Sequence, residues 1–227
     1  MLRVPARDNL GAIYQLGSPY KTGVRTGSEA LTEYANRVGF GASLPFDLPT
    51  AASQVTNGGG ALPGGLADRV ELANASYGQA EVLVTPLQMA LVAATIANDG
   101  TLMKPHLVLE AKGKAGTTDV NPAAVGQVVS PGIAHEIAAA MRLAVNGQIG
   151  RFFTFGAALQ GMVVAGKSGT AELGPNQQPH SWFIGFAPYD NPQVAIAVLV
   201  EHSGGGDVKA SPIAGNLLRA WRTWASR

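Results

Sequence analysis

The spacing of apolar residues changes once along the chain. Up to about residue 147, apolar residues in several segments recur at the spacing of one helical face. From about residue 159 onward they form short, nearly continuous runs, which are typical of buried strands. The pattern therefore predicts an α+β fold, in which helices pack on an antiparallel sheet.

Three helices are predicted before the change. The first covers residues 28–38, where Thr26 and Glu29 have the spacing of a capping box and Gly39 supplies a stop. It is followed by a glycine-rich loop, residues 40–65, which we expect to cover or border a site.

The second and third helices each begin at a hydroxyl residue followed by proline. Thr85-Pro86 opens the second, with Gln88 placed to reach back to the cap, and its body is apolar on all sides as far as Gly100. We expect this helix to be buried at the centre of the fold. Ser130-Pro131 opens the third, which should end at Gly147.

The last third of the chain predicts strands over residues 159–166, 167–173, 181–187 and 193–201. Their connections are short, and the turn PYDNP joins the last two, so neighbouring strands should pair antiparallel. Ser211-Pro212 should start a final helix. The residues predicted to face the sheet are Ile213, Leu217, Ala220 or Trp221, and Trp224.

Composition and charge exclude several classes of protein. The sequence has 227 residues, of which 46% are apolar, so it can bury a sizeable core. Its formal net charge is +1 with dispersed lysines and arginines, which does not fit a nucleic-acid partner. The absence of cysteine excludes disulfides, a thiol nucleophile and a thiolate zinc site. No stretch has the ~20 apolar residues of a membrane span, and the N-terminal residues do not resemble an export signal.

The segment GMVVAGKSGTAELG, residues 161–174, satisfies two motifs. It fits a nucleotide-binding P-loop, and from Lys167 it fits the Lys-Ser/Thr-Gly motif of penicillin-recognising enzymes. A P-loop needs a wrapped glycine-rich bend followed by a helix. The residues before Gly166 instead favour a strand, and no helical spacing follows Ser168. Nucleotide binding is therefore the remote alternative.

The second motif has a chemical rationale if it lies on an edge strand. Lys167 would supply positive charge, and the hydroxyls of Ser168 and Thr170 would hold a carboxylate. Gly169 would let a ligand approach the backbone, and an outward-pointing Thr170 amide would donate to an oxyanion. The alternative interpretation is a polar edge strand on which a lysine prevents edge-to-edge pairing.

Longer blocks decide between these interpretations. The stretch from YGQAEVLVTPLQMA to KPHLV (77–108), VVAGKSGTAELG (163–174) and HSWFIGFAPYDNPQVAIAVLVEH (180–202) resemble, in order and spacing, the transpeptidase domain of penicillin-binding proteins. SEALTEYANRVGFG and SPIAGNLLRAW extend the resemblance, which covers residues 23–227. Residues 1–22 fall outside it and are interpreted as a divergent or non-family segment.

The resemblance implies a serine acyltransferase of the bacterial cell wall, of the kind used in peptidoglycan synthesis and cell division. In that family a Ser-x-x-Lys serine attacks the D-Ala-D-Ala end of a peptidoglycan stem peptide, or a β-lactam, without a metal or organic cofactor. The family also implies a place on the extracytoplasmic face of the cell membrane, an anchor absent from this chain, and possible cell-wall synthesis partners.

The sequence departs from the family pattern at the motif that contains the nucleophile. Family order places Ser-x-x-Lys before the segment that begins at Ser28, hence upstream of this sequence. A literal match starts at Ser18, but the glycines that follow disfavour the helix it needs, and Asn9 fits the Ser-x-Asn motif poorly. We therefore expect Lys167 and Thr170 as catalytic residues in a fragment inactive on its own. A non-catalytic module that binds peptidoglycan stems or a partner is the alternative.

The histidines complete the list of candidates. His106, His135, His180 and His202 are far apart in sequence and lack the spacing of a zinc helix, so no metal site is predicted. His180 and Trp182 are expected to border the groove beside Lys167. Capping and packing of a hairpin is their alternative role.

Overall fold

The computed structural model describes residues 27–56, 66, 69–79, 81–113, 116–147 and 154–227. These residues belong to two compact units. One holds the described residues up to 44 and those between 51 and 85, and the other holds residues 45–50 and the described residues from 86 to 227. None of the helices within the described ranges is long and apolar enough to cross a bilayer.

The first unit contains helices α1 (Ser28–Arg37) and α2 (Arg69–Ala75). Helix α1 confirms the predicted helix, and Gly39, with φ of 94°, follows its last turn. Its N-cap is Gly27, without a side-chain cap bond, so the predicted capping box is wrong, and Thr26 itself lies outside the described residues. Helix α2 was not predicted. It contributes to a small cluster made of Leu66, Leu72 and Ala75, against which Leu31, Val55 and Val82 pack.

The second unit contains most of the fold. Its elements, in chain order, are α3 (Pro86–Ala97), β1 (Thr101–Met103), β2 (Glu110–Gly113), β3 (Gly116–Asp119), β4 (Ala124–Gln127), α4 (Pro131–Asn146), a 3₁₀ turn (Phe155–Ala157), β5 (Ala165–Ala171), β6 (His180–Ala187), β7 (Val194–Val200) and α5 (Ala210–Ala225). Helices and antiparallel strands together confirm the α+β fold.

The positions of helices α3 and α4 confirm their predictions, but the predicted capping of α3 by Gln88 is wrong: the Thr85 amide, which Gln88 was expected to reach, donates to Oγ of Ser53 at 3.3 Å. Helix α4 begins at the N-cap Ser130, whose side chain accepts a hydrogen bond from the Ile133 amide, and ends at Gly147. Helix α3 packs against β1, β6, β7 and α4, which is the central position expected of it. Its fully buried residues are Gln88, Ala93 and Thr95, and its larger apolar side chains are only half-buried.

Strands β5, β6 and β7 form one antiparallel sheet in that spatial order. The predicted strands 181–187 and 193–201 are confirmed as β6 and β7. The predicted strand 159–166 is wrong, because Leu159 and Met162 form an isolated bridge around Gly161, whose φ is 75°. The left-handed backbone turns the chain there, and β5 starts only at Ala165.

The sheet is covered on both faces. On one face, Phe183 and Val198 pack with Val164 and with Ala214 and Leu218 of α5. On the other face, Ala165 and Phe186 pack with residues of α3 and α4, namely Ile96, Ala138 and Met141. A strand of this sheet is therefore held from both sides, which fixes its position.

The buried face of α5 differs from the prediction. The helix starts at Ala210 after the N-cap Lys209, so Ser211-Pro212 lies in its first turn. Ile213, Leu217 and Trp224 are exposed, as is Ala220. The residues that are buried are Ala210, Ser211, Ala214, Gly215 and Leu218, and Trp221 packs beside them.

Close approach explains this choice of face. A Cβ at Gly215 would lie 2.4 Å from the carbonyl oxygen of Gly156. Only small residues let the helix come so near its neighbours, so size decides the buried face more than hydrophobicity does.

Strands β1 to β4 were not predicted. They form two antiparallel pairs, β1 with β4 and β2 with β3. Every residue of β2, β3 and β4 is exposed, so no alternation of apolar and polar residues marks them in the sequence.

Candidate functional site

The Lys-Ser-Gly motif lies on β5, which occupies one edge of the three-stranded sheet. The backbone remains extended through Gly166, Lys167 and Ser168, and residues 172–179 lead without a helix into β6. A P-loop requires a wrapped bend and a following helix. The structure therefore excludes the nucleotide-binding interpretation of this segment.

Gly166 sets the approach of β5 to the core. A Cβ at this position would lie 2.3 Å from Cζ of Phe183 and 2.8 Å from the carbonyl oxygen of Ile184. The missing side chain leaves room for the Phe183 ring, which is fully buried. The strand is thus anchored to the core at the residue directly before the motif.

Lys167 is the charged residue of the motif. Its Nζ donates a hydrogen bond of 2.6 Å to the carbonyl oxygen of Ser168, and none of the ion pairs among the described residues involves it. The residue as a whole is exposed, but partial burial of the ammonium lowers the pKa of Lys167 below its ordinary value. A positive charge that forms no ion pair with a carboxylate of the described segments suits an anionic ligand.

Strand alternation separates the motif into two faces. In the register with β6, Ser168 lies opposite Phe183 and Thr170 opposite Ser181, on the face that carries α5. Lys167 and Gly169 alternate with them and belong to the other face. The two hydroxyls proposed for one carboxylate therefore share a face, and the lysine does not.

Gly169 lies next to Trp182. The two residues are paired in the register, and a Cβ at Gly169 would come within 3.2 Å of Cβ of Trp182. Trp182 is half-buried. Trp182 is therefore the direct neighbour of Gly169 on β6, and its place at the border of the site stays a prediction.

His180 lies at the start of β6, opposite Ala171. Its Nδ1 accepts a hydrogen bond of 3.1 Å from the amide of His202, and the two rings meet edge to face with centroids 4.8 Å apart. The sequence did not reveal this contact. It supports the capping role of His180, and no group of three potential metal ligands occurs in the described parts of the chain.

Two further candidates have no described structure. Asn9 and Ser18 both lie outside the described residues. The predicted site residues that the structure describes are therefore Lys167, Ser168, Gly169 and Thr170 on β5, and His180 and Trp182 on the neighbouring β6.

The sequence analysis did not predict the hydrogen bond that holds the Thr170 side chain. The amide of Gly206, in the loop before α5, donates a hydrogen bond of 3.3 Å to Oγ1 of Thr170. Two buried serines, Ser181 and Ser211, hold this loop. The only signal in the sequence was the run of three glycines at 204–206 directly before Asp207 and the start of α5.

Comparison with known proteins gives a consistent result. Residues 14–219 match the family model described as the penicillin binding protein transpeptidase domain. The chain is 38% identical over 203 residues to the peptidoglycan D,D-transpeptidase PbpA of Mycolicibacterium smegmatis, an alignment that covers 84% of this chain and 38% of that protein. It is 32% identical to the stage V sporulation protein D of Bacillus subtilis, over 87% of this chain and 31% of that protein.

Solved structures agree with these relatives. The ceftriaxone acyl-enzyme complex of penicillin-binding protein A from M. tuberculosis superposes with a TM-score of 0.77 and 34% identity, covering 88% of this chain and 45% of that one. A D,D-transpeptidase domain from Eggerthella lenta superposes with a TM-score of 0.77 and 29% identity, covering 92% of this chain and 51% of that one. The chain spans less than half the length of the curated relatives quoted above.

Proposed function

Because this chain belongs to the penicillin-binding protein transpeptidase family, we propose that β5 is the carboxylate-binding wall of a peptidoglycan D,D-transpeptidase site. The observation that carries the proposal is the edge position of Lys167, Ser168, Gly169 and Thr170 in a sheet held on both faces. The substrate would be the D-Ala-D-Ala end of a stem peptide. β-Lactams would occupy the same wall, since one relative, penicillin-binding protein A from M. tuberculosis, has acyl-enzyme complexes with ceftriaxone, imipenem and penicillin G.

Each residue of the wall has a distinct role in this proposal. Lys167 supplies positive charge, and the hydroxyls of Ser168 and Thr170 donate to the terminal carboxylate. Gly169 lets the peptide backbone approach the strand. Trp182 and His180 border the bound peptide.

The backbone direction of β5 supports a further role for Thr170. Since the Ser168 carbonyl accepts a bond from Lys167 Nζ, we infer that the backbone groups of Ser168 point away from β6. In an antiparallel pair, residues two apart point their backbone groups the same way. The Thr170 amide would then face the open edge, where it can donate to the oxyanion of an acyl intermediate.

The chemistry attributed to this site needs a serine nucleophile. The carbonyl carbon of the penultimate D-Ala is attacked, the terminal D-Ala leaves with a proton, and a second peptide amine later accepts the acyl group. The only Ser-x-x-Lys in the sequence is 18–21, where a proline follows Ser18 directly and Gly23 comes two residues after Lys21. We place the activity of the longer relatives on the extracytoplasmic face of the membrane, as the family implies.

The wall is tested by titrating the chain with N-acetyl-D-Ala-D-Ala. Loss of a charge-assisted contact costs about 1.5–3 kcal/mol, so Lys167→Ala should weaken binding by about tenfold or more. The matched control is Lys112→Ala, which removes a lysine whose side chain is 70% exposed in the β2–β3 hairpin. Equal affinities of the Lys167 variant and the unmodified chain would contradict the proposal.

Labelling with a fluorescent penicillin separates catalysis from binding. We expect no covalent label on this chain, because the residues around Ser18 do not favour the helix that brings a lysine beside a nucleophile. Peptide binding without a label supports the second candidate function, a non-catalytic module that recognises peptidoglycan stems. A label that disappears in Ser18→Ala would show that the chain carries its own nucleophile.

A further inference from the structure

The loop between β7 and α5 is built around two buried serines. Ser181 Oγ donates to the carbonyl oxygen of Gly205 and accepts from the Ala210 amide, both at 2.9 Å. Ser211 Oγ donates to the carbonyl oxygen of Gly206, also at 2.9 Å. Both serines are fully buried. The loop is therefore fixed to the sheet by β6 and to the first turn of α5.

Gly206 packs directly against the backbones of β5 and β6. A Cβ on this residue would be 2.4 Å from the carbonyl oxygens of both Gly169 and Trp182, and 2.8 Å from the Gly169 amide nitrogen. These are backbone atoms, so no flexible side chain can yield to an added methyl group. The position requires glycine because of this contact and not because of a special backbone conformation, since its φ is not in the left-handed region.

The packing of Gly206 against β5 and β6 directs its amide toward Thr170 of the proposed site. The Gly206 amide donates to Thr170 Oγ1, and the Gly206 carbonyl is held by both the Ser211 hydroxyl and the Ser211 amide. Threonine is β-branched and has few χ1 rotamers, so a bond to Oγ1 selects the rotamer of the whole side chain. The loop thereby controls the direction of the Thr170 hydroxyl.

We propose that Gly206, held by Ser211, is a positioning residue that orients the Thr170 hydroxyl for recognition of a terminal carboxylate. The inference rests on the proposed function of β5. It assigns a specificity role to a segment 36 residues away from Thr170 in sequence, which itself need not touch the ligand.

The test compares two probes, N-acetyl-D-Ala-D-Ala and its C-terminal carboxamide. The unmodified chain should prefer the carboxylate, and Thr170→Val should lose most of that preference. Gly206→Ala should reduce the preference by about tenfold, the size of one charge-assisted hydrogen bond. In the Thr170→Val background the same change should have no further effect, because the oriented hydroxyl is already absent.

A milder variant and a control exclude a merely structural role. Ser211→Ala leaves the Gly206 carbonyl with its backbone donor, so the chain should fold and the preference should fall in the same direction. Ser130→Ala removes the capping hydroxyl at the start of α4 and should lower stability without changing the preference. Folded Gly206→Ala and Ser211→Ala chains that keep the full preference would overturn the proposal.

A ligand-free measurement separates this inference from the proposed function. If the unmodified chain does not prefer the carboxylate, the proposed function fails. The methyl resonance of Thr170 then decides the positioning role. A shift of that resonance in Ser211→Ala, without one in Ser130→Ala, supports it, and an unchanged resonance refutes it.

Discussion

Raising the pH should weaken binding of a peptide carboxylate before the ordinary lysine range is reached. Burial lowers the pKa of Lys167 below its model-compound value of 10.5, so the residue loses its charge earlier than an exposed lysine does. A charge-assisted hydrogen bond contributes about 1.5–3 kcal/mol. Because Lys167 is only partly buried, the lower end applies, and neutralisation should weaken binding by about tenfold.

The assay is a calorimetric titration with N-acetyl-D-Ala-D-Ala from about pH 7 to about pH 11. The acetylated peptide has no group that titrates in this range. Lys167→Arg keeps its charge throughout, so its affinity should stay constant, and Lys112→Arg should retain the fall seen in the unmodified chain. An unmodified chain whose affinity is flat up to the ordinary range, or a fall that persists in Lys167→Arg, would refute the reasoning.

The same pKa shift has a small effect on stability. Between the lowered pKa and 10.5, the unfolded chain binds more protons at this lysine than the folded chain does. Stability therefore rises with pH in that window.

Three further outcomes concern the packing behind β5, and all are measured by urea unfolding. Phe183→Ala should lower the free energy of unfolding by about 3–5 kcal/mol, because the ring is fully buried between Gly166 and α5; an effect below about 1 kcal/mol would contradict this packing. Leu218→Ala should cost about 2–5 kcal/mol and the matched Leu217→Ala much less, since Leu218 is 1% exposed and Leu217 is 50% exposed; equal costs would restore the face predicted from sequence. Gly215→Ala should cost about 1–3 kcal/mol through its contact with the 3₁₀ turn, and a neutral result would show that α5 can shift freely.

The elements that sequence predicted well are those with a strong and long signal. Helix α4 has a serine cap, a proline in its first turn and a glycine stop, and β6 and β7 are continuous apolar runs joined by a short turn. Strands β2, β3 and β4 are short and exposed, so they had no pattern to detect. Backbone hydrogen bonds pair these strands, and the identity of the side chains predicts such pairing only weakly.

The errors elsewhere have steric causes. The predicted strand over residues 159–166 was wrong because the run Met162 to Val164 is apolar, although a left-handed Gly161 turns the chain just before it. The buried face of α5 was misassigned because the helix turns its small residues inward and leaves Trp224 at 68% exposure. Hydrophobic periodicity identifies a helix, but the space available in the core decides which face it buries.

In the candidate site, too, residue types could be recognised in the sequence, but contacts between distant segments could not. Lys167 to Thr170 were predicted from the sequence as site residues because their residue types suit carboxylate binding and their neighbours in sequence match a family. Gly206 was not found, since its role depends on lying against a strand far away in the chain. A buried hydroxyl costs free energy unless it is hydrogen-bonded, so serine in place of alanine at 181 and 211 needs a reason. Each serine binds a carbonyl of the loop that carries Gly206, so the two hydroxyls fix the loop in the one position that directs its amide at Thr170.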